Sequence, residues 1–594
     1  MFFERAEAWP ARPRYRVKRN GAWQEVTWGA MADAVREVAA GLLECGLEPG
    51  ERVAIYSASR PEWMEADLAA YACGAVTVPI YQSSLAEEAG YILANSGARV
   101  CVVESPTLLA RLRTALREGF EIDGQRAPVT LDRIVLVDGE PDGADVVTLA
   151  ELRARGRAVL GSRRATLDAR VAALGRGDLA TIVYTSGTTG PPKGVMQTHG
   201  NHLAALEAVG AVGLAREGDV DFLFLPFAHS FARMLEYFGL WAGTVTAFAT
   251  SIDHVAAEIA EVQPHLIPSV PRIYEKIYAR ITSARDAGSA VKRALFDWAF
   301  GVGRARSRHE QAGEAVPWLL SLQAALADAL VFARIRQVLG GRVRYLVSGG
   351  APLSQEIIEF FHAAGLLILE GYGLTETTPI LTCNRPDRFR FGTVGLPVNG
   401  VMLRLAPDGE ILARGPNVAE GYYHRPEATA EAWDADGWFH TGDIGEIDAE
   451  GFLRITDRKK DLIKTSGGKY VAPQNVENLL KTQPHISQAV VIGDRRRYCV
   501  ALLTLDPEAV DRFASREGLA GSPREEVLRH PRLLEIVERE VQVVNTRLAS
   551  YESVKYFRVL ERDFSLETGE LTPSLKVKRK VVTERFQRLI DEMY

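Results

Sequence analysis

The sequence predicts an α/β fold built on parallel sheets, with a change of architecture in its last third. Three observations carry this. The first 450 residues alternate short apolar runs with amphipathic helical stretches, and strands separated by helices imply parallel sheets covered on both faces. After about residue 400 the runs shorten and glycine punctuates them, as in GVMLRLAPDGEILARGP and DGWFHTGDIGEIDAEGFLRITDR, which read as antiparallel hairpins. Past the charged run Asp457-Arg458-Lys459-Lys460-Asp461 a second, smaller α/β pattern begins, so a domain boundary is expected near 457.

Taken in order, strands are expected at 52–59, 75–81, 99–105, 133–139, 180–186, 221–227 and 343–350, with helices at 28–45 and 202–212 among them. Beyond the boundary come a helix in PQNVENLLKTQ, strands in QAVVIG and CVALLTL, a helical stretch near 524–550 and a basic tail. The most apolar segment, 316–335, contains Gln323, Asp328 and Arg334 and is read as a buried or partly buried helix, not a membrane element. Function in such folds usually sits on loops at strand C-terminal ends.

Composition narrows the classes. A chain of 594 residues suggests two to four domains, and 47% hydrophobic with 25% charged residues excludes disordered and collagen-like chains. Lys plus Arg is 70 against 76 Asp plus Glu, so no global basic field invites nucleic acid. The cysteines, at 45, 73, 101, 383 and 499, are odd in number, scattered and without C-x-x-C. That argues against a disulfide framework and a thiolate zinc site and suggests a reducing compartment. The N-terminal stretch has no apolar h-region, mean hydropathy is −0.05, and no apolar run approaches the ~20 residues of a span. A cytoplasmic protein is expected.

The strongest local signal is Tyr184-Thr-Ser-Gly-Thr-Thr-Gly-Pro-Pro-Lys-Gly194. A buried-strand pattern opens into a loop rich in glycine, hydroxyls and one lysine. Such a loop lets backbone N–H groups approach an anion while the hydroxyls and ammonium add donors and charge. It is not a Walker loop. Pro192 stands where that motif has glycine before the lysine, and Gly194 stands where it has a magnesium-binding hydroxyl.

The stretch YTSGTTGPPKG resembles the phosphate loop of adenylate-forming enzymes, the superfamily of acyl-CoA synthetases, luciferases and peptide-synthetase adenylation domains. Further motifs follow in that family's order: Ser348-Gly-Gly-Ala-Pro-Leu353, Glu370-Gly-Tyr-Gly-Leu-Thr-Glu-Thr377, Thr441-Gly-Asp443, Asp457-Arg-Lys-Lys-Asp-Leu-Ile-Lys464 and Leu571-Thr-Pro-Ser-Leu-Lys576. The resemblance implies a large N-terminal AMP- and acyl-binding domain, 1–456, of parallel sheets covered by helices. It includes a small β-barrel-like part at 395–456. A small mobile α+β catalytic lid domain, 457–594, completes the fold.

The same resemblance distributes roles. Thr185, Ser186, Gly187, Thr188, Thr189, Gly190 and Lys193 would bind phosphates. Gly350, Ala351, Gly371, Tyr372 and Thr375 would line the nucleotide site, with Asp443 and Arg458 on the ribose and Lys464 a second nucleotide-side lysine. Lys460 matches the hinge, and Gly467 and Gly468 lie where the pantetheine tunnel approaches. Chemistry supports several of these readings. Tyr372, between two glycines, can offer a flat face to a purine. A carboxylate beside a triphosphate needs a cation between them, so Glu376, with Thr185, implies Mg²⁺. Asp443 suits two ribose hydroxyl donors. The bridging lysine of the tail would be Lys576 or Lys578. Leu575 replaces the family's glycine, and the T-P-x-x-K-x-K-R pattern of the long-chain branch favours Lys576 as catalytic, with Thr185 and Glu376.

The segments 225–236 and 267–276 and the stretch SGGKYVAP are similar to long-chain acyl-CoA synthetases in particular. His229 and Arg233 match that branch's acyl-tunnel gate. The implied reaction is fatty acid plus ATP giving acyl-AMP and pyrophosphate, then acyl-CoA and AMP, with ATP, Mg²⁺ and coenzyme A required. The alternatives are an acyl-AMP ligase or carrier-protein synthetase, and a non-catalytic nucleotide-binding homologue. No nucleic-acid partner is expected; a peripheral membrane contact and the oligomeric state are left open.

Overall fold

The computed structural model describes residues 1–122, 125–185, 191–565, 568–572 and 576–594, and of 121, 122 and 125–127 the backbone alone. Two largely parallel sheets form the body of the N-terminal region. One runs Lys193–Thr198, Leu179–Thr185, Val76–Ile80, Arg52–Tyr56, Val100–Val103, Arg133–Leu136, Val146–Thr148, and only its first pair is antiparallel. The other has nine strands, with a parallel centre of Leu367–Tyr372, Tyr345–Ser348, Leu266–Ser269, Val220–Leu223, Val245–Phe248 and Pro13–Arg19. Every residue of Val76–Ile80 and Val100–Val103 is buried. Helices on both faces leave no solvent side, which is why these strands read as continuous apolar runs.

Local choices position the covering helices. Trp28–Glu44 starts at Thr27, whose hydroxyl accepts from the Ala30 N–H. It crosses Leu149–Ala173, which opens with a Thr148–Glu151 capping box. The crossing is close enough that a Cβ on Gly156 would lie 1.8 Å from the Glu37 carbonyl oxygen, so only glycine fits there.

In place of the barrel-like arrangement expected at 395–456, the β-rich region is an open four-stranded antiparallel sheet. Its order is Met402–Leu405, Glu410–Arg414, Phe439–Ile447, Leu453–Arg458, and its outer strands do not pair with each other. Four strands enclose too little room to close around side chains. The last strand carries this sheet past residue 456, pairing Arg458 with Asp443. The C-terminal region then packs helices Pro473–Leu480, Pro507–Arg516 and Pro531–Asn545 on a sheet of Ile486–Ile492, Cys499–Leu505 and Val554–Val559. It meets the N-terminal region through polar contacts. Arg272 donates to the Ser487 carbonyl (2.7 Å) and hydroxyl (3.0 Å), Arg547 pairs with Glu356 at 2.8 Å, and Lys481 lies 3.7 Å from Glu275.

The apolar segment expected at 316–335 is helical through Trp318–Ala327, a π-helical turn Asp328–Phe332 and Ala333–Val338. Contrary to the expectation from apolar runs, this 21-residue helix is long and apolar enough to cross a membrane by length and composition. Its few polar residues break the run without breaking the helix. Ala324, Ala327, Phe332 and Ile335 join the core, while the opposite face is exposed. All five cysteines are free.

Candidate active site

A cleft of about 3330 Å³ lies at the C-terminal ends of the parallel strands, walled on its far side by the C-terminal region. Strand Leu179–Thr185 delivers Thr185 to its edge. Antiparallel pairing sets Thr185 opposite Lys193, the Thr185 hydroxyl 3.4 Å from the Lys193 carbonyl. Ser186, Gly187, Thr188, Thr189 and Gly190, between these two anchors, lie outside the described residues.

Lys193 directs its ammonium at the Tyr422 ring, 4.8 Å from the centroid. The Tyr422 hydroxyl donates to Glu376 Oε1 at 2.8 Å, and burial beside that carboxylate pushes the phenol well up. Tyr422 therefore joins the loop lysine to Glu376. Glu376 sits in the short turn Thr375–Thr377, which is tied down by Gln197 Nε2 donating to the Thr375 carbonyl at 2.7 Å. Glycine at 373 keeps this turn compact, because a Cβ there would lie 1.7 Å from the Pro379 carbonyl oxygen.

Asp443 is buried on strand Phe439–Ile447. The Tyr372 hydroxyl donates to its Oδ2 at 2.7 Å and Arg458 Nε to its Oδ1 at 3.1 Å. Burial and this carboxylate hold the Tyr372 phenol far above its usual range. A carboxylate has about four acceptor sites, so two protein donors leave room for two ligand hydroxyls. Gly350, at φ +82°, and Ala351 follow strand Tyr345–Ser348 and line the cleft, as does Gly371.

Lys576 reaches into the cleft from the tail. Thr572 and Lys576 hold its backbone, with the Thr572 N–H donating to the Lys576 carbonyl at 2.7 Å and the Lys576 N–H to the Thr572 hydroxyl at 3.0 Å. The side chain is open to cleft solvent but walled in by protein. That enclosure, then the Arg458 charge, brings its ammonium down to about 8, while Asp443 and Glu376 oppose the shift. Lys578 also lines the cleft, but Lys576 is the lysine whose charge is felt at His229 and is set against Asp443, Glu376 and Arg458. Pro573, Ser574 and Leu575 of its motif lie outside the described residues.

His229 caps helix Ser230–Ala242, its Nδ1 accepting the Phe231 N–H at 3.1 Å. In the neutral ring the proton is then on Nε2. Enclosure and the Lys576 charge bring the imidazole down to about 3. Arg233 is not with it. Phe231, Met234, Leu235 and Phe238 line the cleft at three- and four-residue spacings, which turns position 233 to the opposite face. There Arg233 is buried, donates to the Thr181 hydroxyl at 2.6 Å and lies 4.0 Å from Asp67. The matched gate position is thus a buried structural cation.

Lys460 is exposed in the turn after Arg458 and lines the cleft. Lys464, Gly467 and Gly468 are exposed on the hairpin Ile463–Lys464/Tyr470–Val471 and are not among the cleft-lining residues. Sequence reasoning missed Tyr422, and no local motif marks it. It also missed the role of Glu370, whose buried carboxyl lines the cleft and is pushed up to about 8 by burial. Among the described residues no three His, Cys, Asp or Glu side chains gather as a metal cage. Glu376 and Thr185 offer hard oxygens, which fits a Mg²⁺ ion that takes most of its ligands from substrate phosphates and water.

Comparison with known proteins gives a consistent picture. The AMP-binding enzyme family model matches residues 2–423, and that of the AMP-binding enzyme C-terminal domain matches 460–594. The chain is 39% identical to the long-chain-fatty-acid–CoA ligase FadD15 of Mycobacterium tuberculosis, over 100% of this chain and 96% of that one. It is 32% identical to long-chain-fatty-acid–CoA ligase 6 of Mus musculus, over 97% and 83%. Among solved structures, the adenylation domain of a carboxylate reductase from Mycobacterium chelonae is similar with TM-score 0.74 at 22% identity, covering 100% of this chain and 90% of that one. O-succinylbenzoate coenzyme A synthetase of Bacillus subtilis, solved with ATP and magnesium, is similar with TM-score 0.65 at 21% identity, covering 98% of each.

Proposed function

The chain belongs to the AMP-binding enzyme family, and from that premise we propose that it is a long-chain fatty-acid–CoA ligase. A fatty carboxylate oxygen attacks the α-phosphorus of ATP and pyrophosphate leaves. The sulfur of coenzyme A then attacks the acyl carbon, and AMP leaves. A carboxylate has a poor leaving group of its own, and the adenylate supplies a good one.

The observation that carries this reading is the convergence of Lys576, Asp443, Arg458, Glu376 and His229 on one cleft. In this proposal Thr185, the loop 186–190 and Lys193 bind the phosphates. Glu376 and Thr185 hold Mg²⁺, which screens phosphate charge, and Tyr422 orients the carboxylate. Tyr372, Thr375, Gly350, Ala351 and Gly371 form the adenine side, and Asp443 accepts the ribose hydroxyls with Arg458 alongside. Lys576 neutralises charge gathering between the carboxylate and the α-phosphate. Val209, Val212, Leu214, Phe231, Leu235 and Phe238 make an apolar wall for the acyl chain, where each buried CH₂ contributes up to ~0.8 kcal/mol. His229 caps the helix that bears the last three.

With Lys576 inside the cleft and Lys464, Gly467 and Gly468 outside it, the conformation suits adenylation. Rotation of 457–594 about Lys460 would exchange these groups for the thioester step. The test is ATP–pyrophosphate exchange across an acyl-chain panel, with CoA-thioester detection. Exchange should rise in kcat/KM beyond eight carbons; a preference for acetate or an aryl acid would refute the fatty-acid reading. Single-turnover kinetics of Lys460→Pro, which restricts φ at the turn, should show adenylation retained and thioester formation reduced. Equal loss in both steps would refute the hinge.

A further inference from the structure

The apolar limb of the cleft has a floor made by one face of the nine-stranded sheet. Side chains alternate along a strand, and Phe222, Ile267 and Leu346 point into the core on the other face. Their neighbours Asp221, Leu223, Leu266, Pro268 and Val347 line the cleft. Four of these floor residues are apolar; Asp221 brings a carboxyl among them. Helices His199–Gly210 and Ser230–Ala242 pack over the same face and add Val209, Phe231, Leu235 and Phe238 to the lining.

The register places this carboxyl far from the reacting end. Asp221 is level with Leu266, and Leu266 with Tyr345, whereas Ser348 stands three residues further along and two strands across. That is ~10 Å along the strands and ~10 Å across them. Ser348 leads into Gly350 and Ala351 at the nucleotide side, so Asp221 lies beside the distal part of a chain whose carboxylate meets ATP.

The partners of Asp221 show which way it faces. It is enclosed by protein yet reached by cleft solvent. The Thr244 hydroxyl, which also lines the cleft, donates to its Oδ1 at 2.6 Å. Behind them Arg14 is ion-paired with Glu236, and Thr246, opposite Asp221 in register, donates to Glu236 Oε2 at 3.0 Å. The hydrogen bonds of Arg14 go to Glu236, Thr246 and the Thr244 carbonyl. A carboxyl kept only to balance Arg14 would be turned to it, as Glu236 is; Asp221 faces the acyl path instead. A carboxylate has about four acceptor sites, and methylenes laid against it remove solvent while supplying no donor. A hydroxyl on the chain supplies one.

We propose that Asp221, held by Thr244, recognises a hydroxyl on the distal part of the acyl chain, so that hydroxylated fatty acids are a preferred substrate class. This rests on the fatty-acid reading given above and deepens it.

The test measures kcat/KM of pyrophosphate exchange for saturated acids and their ω-hydroxy counterparts, from octanoate to hexadecanoate. The ratio of hydroxylated to plain acid is taken on one enzyme preparation at each length, so a loss of folded enzyme cancels. In wild type the ratio should exceed one and peak at an intermediate length, where the hydroxyl meets Asp221. An α-hydroxy acid should show no gain, and the dioic acid of the peak length should fall below the plain acid, because its second carboxylate meets a carboxyl. Asp221→Leu should lower the peak ratio by about ten- to a hundredfold, the scale of a hydrogen bond to a charged group, and should improve plain acids of that length. Asp221→Asn keeps one acceptor oxygen and should fall between the two. A wild-type ratio at or below one at every length, or one unchanged in both variants, would overturn the proposal while leaving the fatty-acid reading intact. Failure of all the long-chain acids, plain and hydroxylated, would overturn the fatty-acid reading itself and this proposal with it.

Discussion

Raising the pH through 8 should switch off the first half-reaction by taking the proton from Lys576. In the free protein this ammonium titrates at about 8 because the cleft walls and Arg458 disfavour its charge more than Asp443 and Glu376 favour it. Roughly ten lysines are protonated for each neutral one at pH 7, and the ratio is reversed at pH 9. If the protonated form carries adenylation, kcat/KM for pyrophosphate exchange should fall about tenfold between pH 7 and 9. The profile of kcat/KM reports the free enzyme and that of kcat the loaded one. Bound triphosphate adds negative charge beside the ammonium, so the limb in kcat should lie at higher pH. His229 adds no limb between pH 5 and 9, being neutral throughout that window. Lys576→Arg should be slower but flat across it, because guanidinium keeps its proton. Lys576→Ala should be flat and down by ~10²–10³-fold, while thioester formation from supplied acyl-AMP is nearly normal. A wild-type profile without a limb between pH 7 and 10, or the same limb in Lys576→Arg, would refute the argument.

Tyr422→Phe removes the hydroxyl that orients Glu376 but keeps the ring beneath Lys193. Losing a hydrogen bond to a charged group should raise the Mg²⁺ concentration for half-maximal exchange by about tenfold, and an unchanged Mg²⁺ dependence would remove Tyr422 from the site. Glu370 is protonated in the folded state up to pH about 8 but ionised above ~4.3 in the unfolded chain. Between those values the unfolded state binds fewer protons, so wild-type stability declines as pH rises. Glu370→Gln should therefore gain stability relative to wild type, by on the order of a few kcal/mol more at pH 8 than at pH 5, read as a larger rise in melting temperature at pH 8. Gly156→Ala must push apart a pair of helices, since the new Cβ would lie 1.8 Å from the facing backbone. It should lower the stability from urea unfolding by about 2–3 kcal/mol with the slope unchanged.

The elements of the site that the sequence made legible are those whose chemistry is contiguous. Tyr372 through Glu376, Asp443 and the loop flanked by Thr185 and Lys193 each gather unusual residue types within a few positions. Tyr422 lies 46 positions from the carboxylate it holds, and no periodicity signals such a contact. Arg233 was misjudged because a motif match ignores helical phase: it lies on the helix face opposite Phe231, Met234, Leu235 and Phe238, which line the cleft. Strands Val245–Phe248, Leu266–Ser269 and Leu367–Tyr372 were missed although they are no shorter than Tyr345–Ser348, which was expected; Thr246, Pro268 and Glu370 interrupt their apolar runs. The segment 316–335 was read as a buried or partly buried helix, and it is partly buried, with Ala324, Ala327, Phe332 and Ile335 in the core and the opposite face exposed.

The contacts between the N- and C-terminal regions include part-exposed polar pairs: Arg272 with Ser487 and Asp563, Arg547 with Glu356, Lys481 with Glu275. Pairs of this kind contribute about 0–1 kcal/mol each. Four such pairs bias the observed pose by at most about a thousandfold, and at the low end of that range leave it nearly even with its alternative. A ligand that prefers one arrangement by a few kcal/mol then decides which is populated. In the cycle proposed above, departure of pyrophosphate would withdraw charge from the side of the cleft where Lys576 stands and so favour the alternative arrangement. Ionic strength acts in the same direction, since salt screens these pairs and spares the buried cores on either side. In the proposed rotation a weak interface is an asset, and strengthening it should slow the cycle.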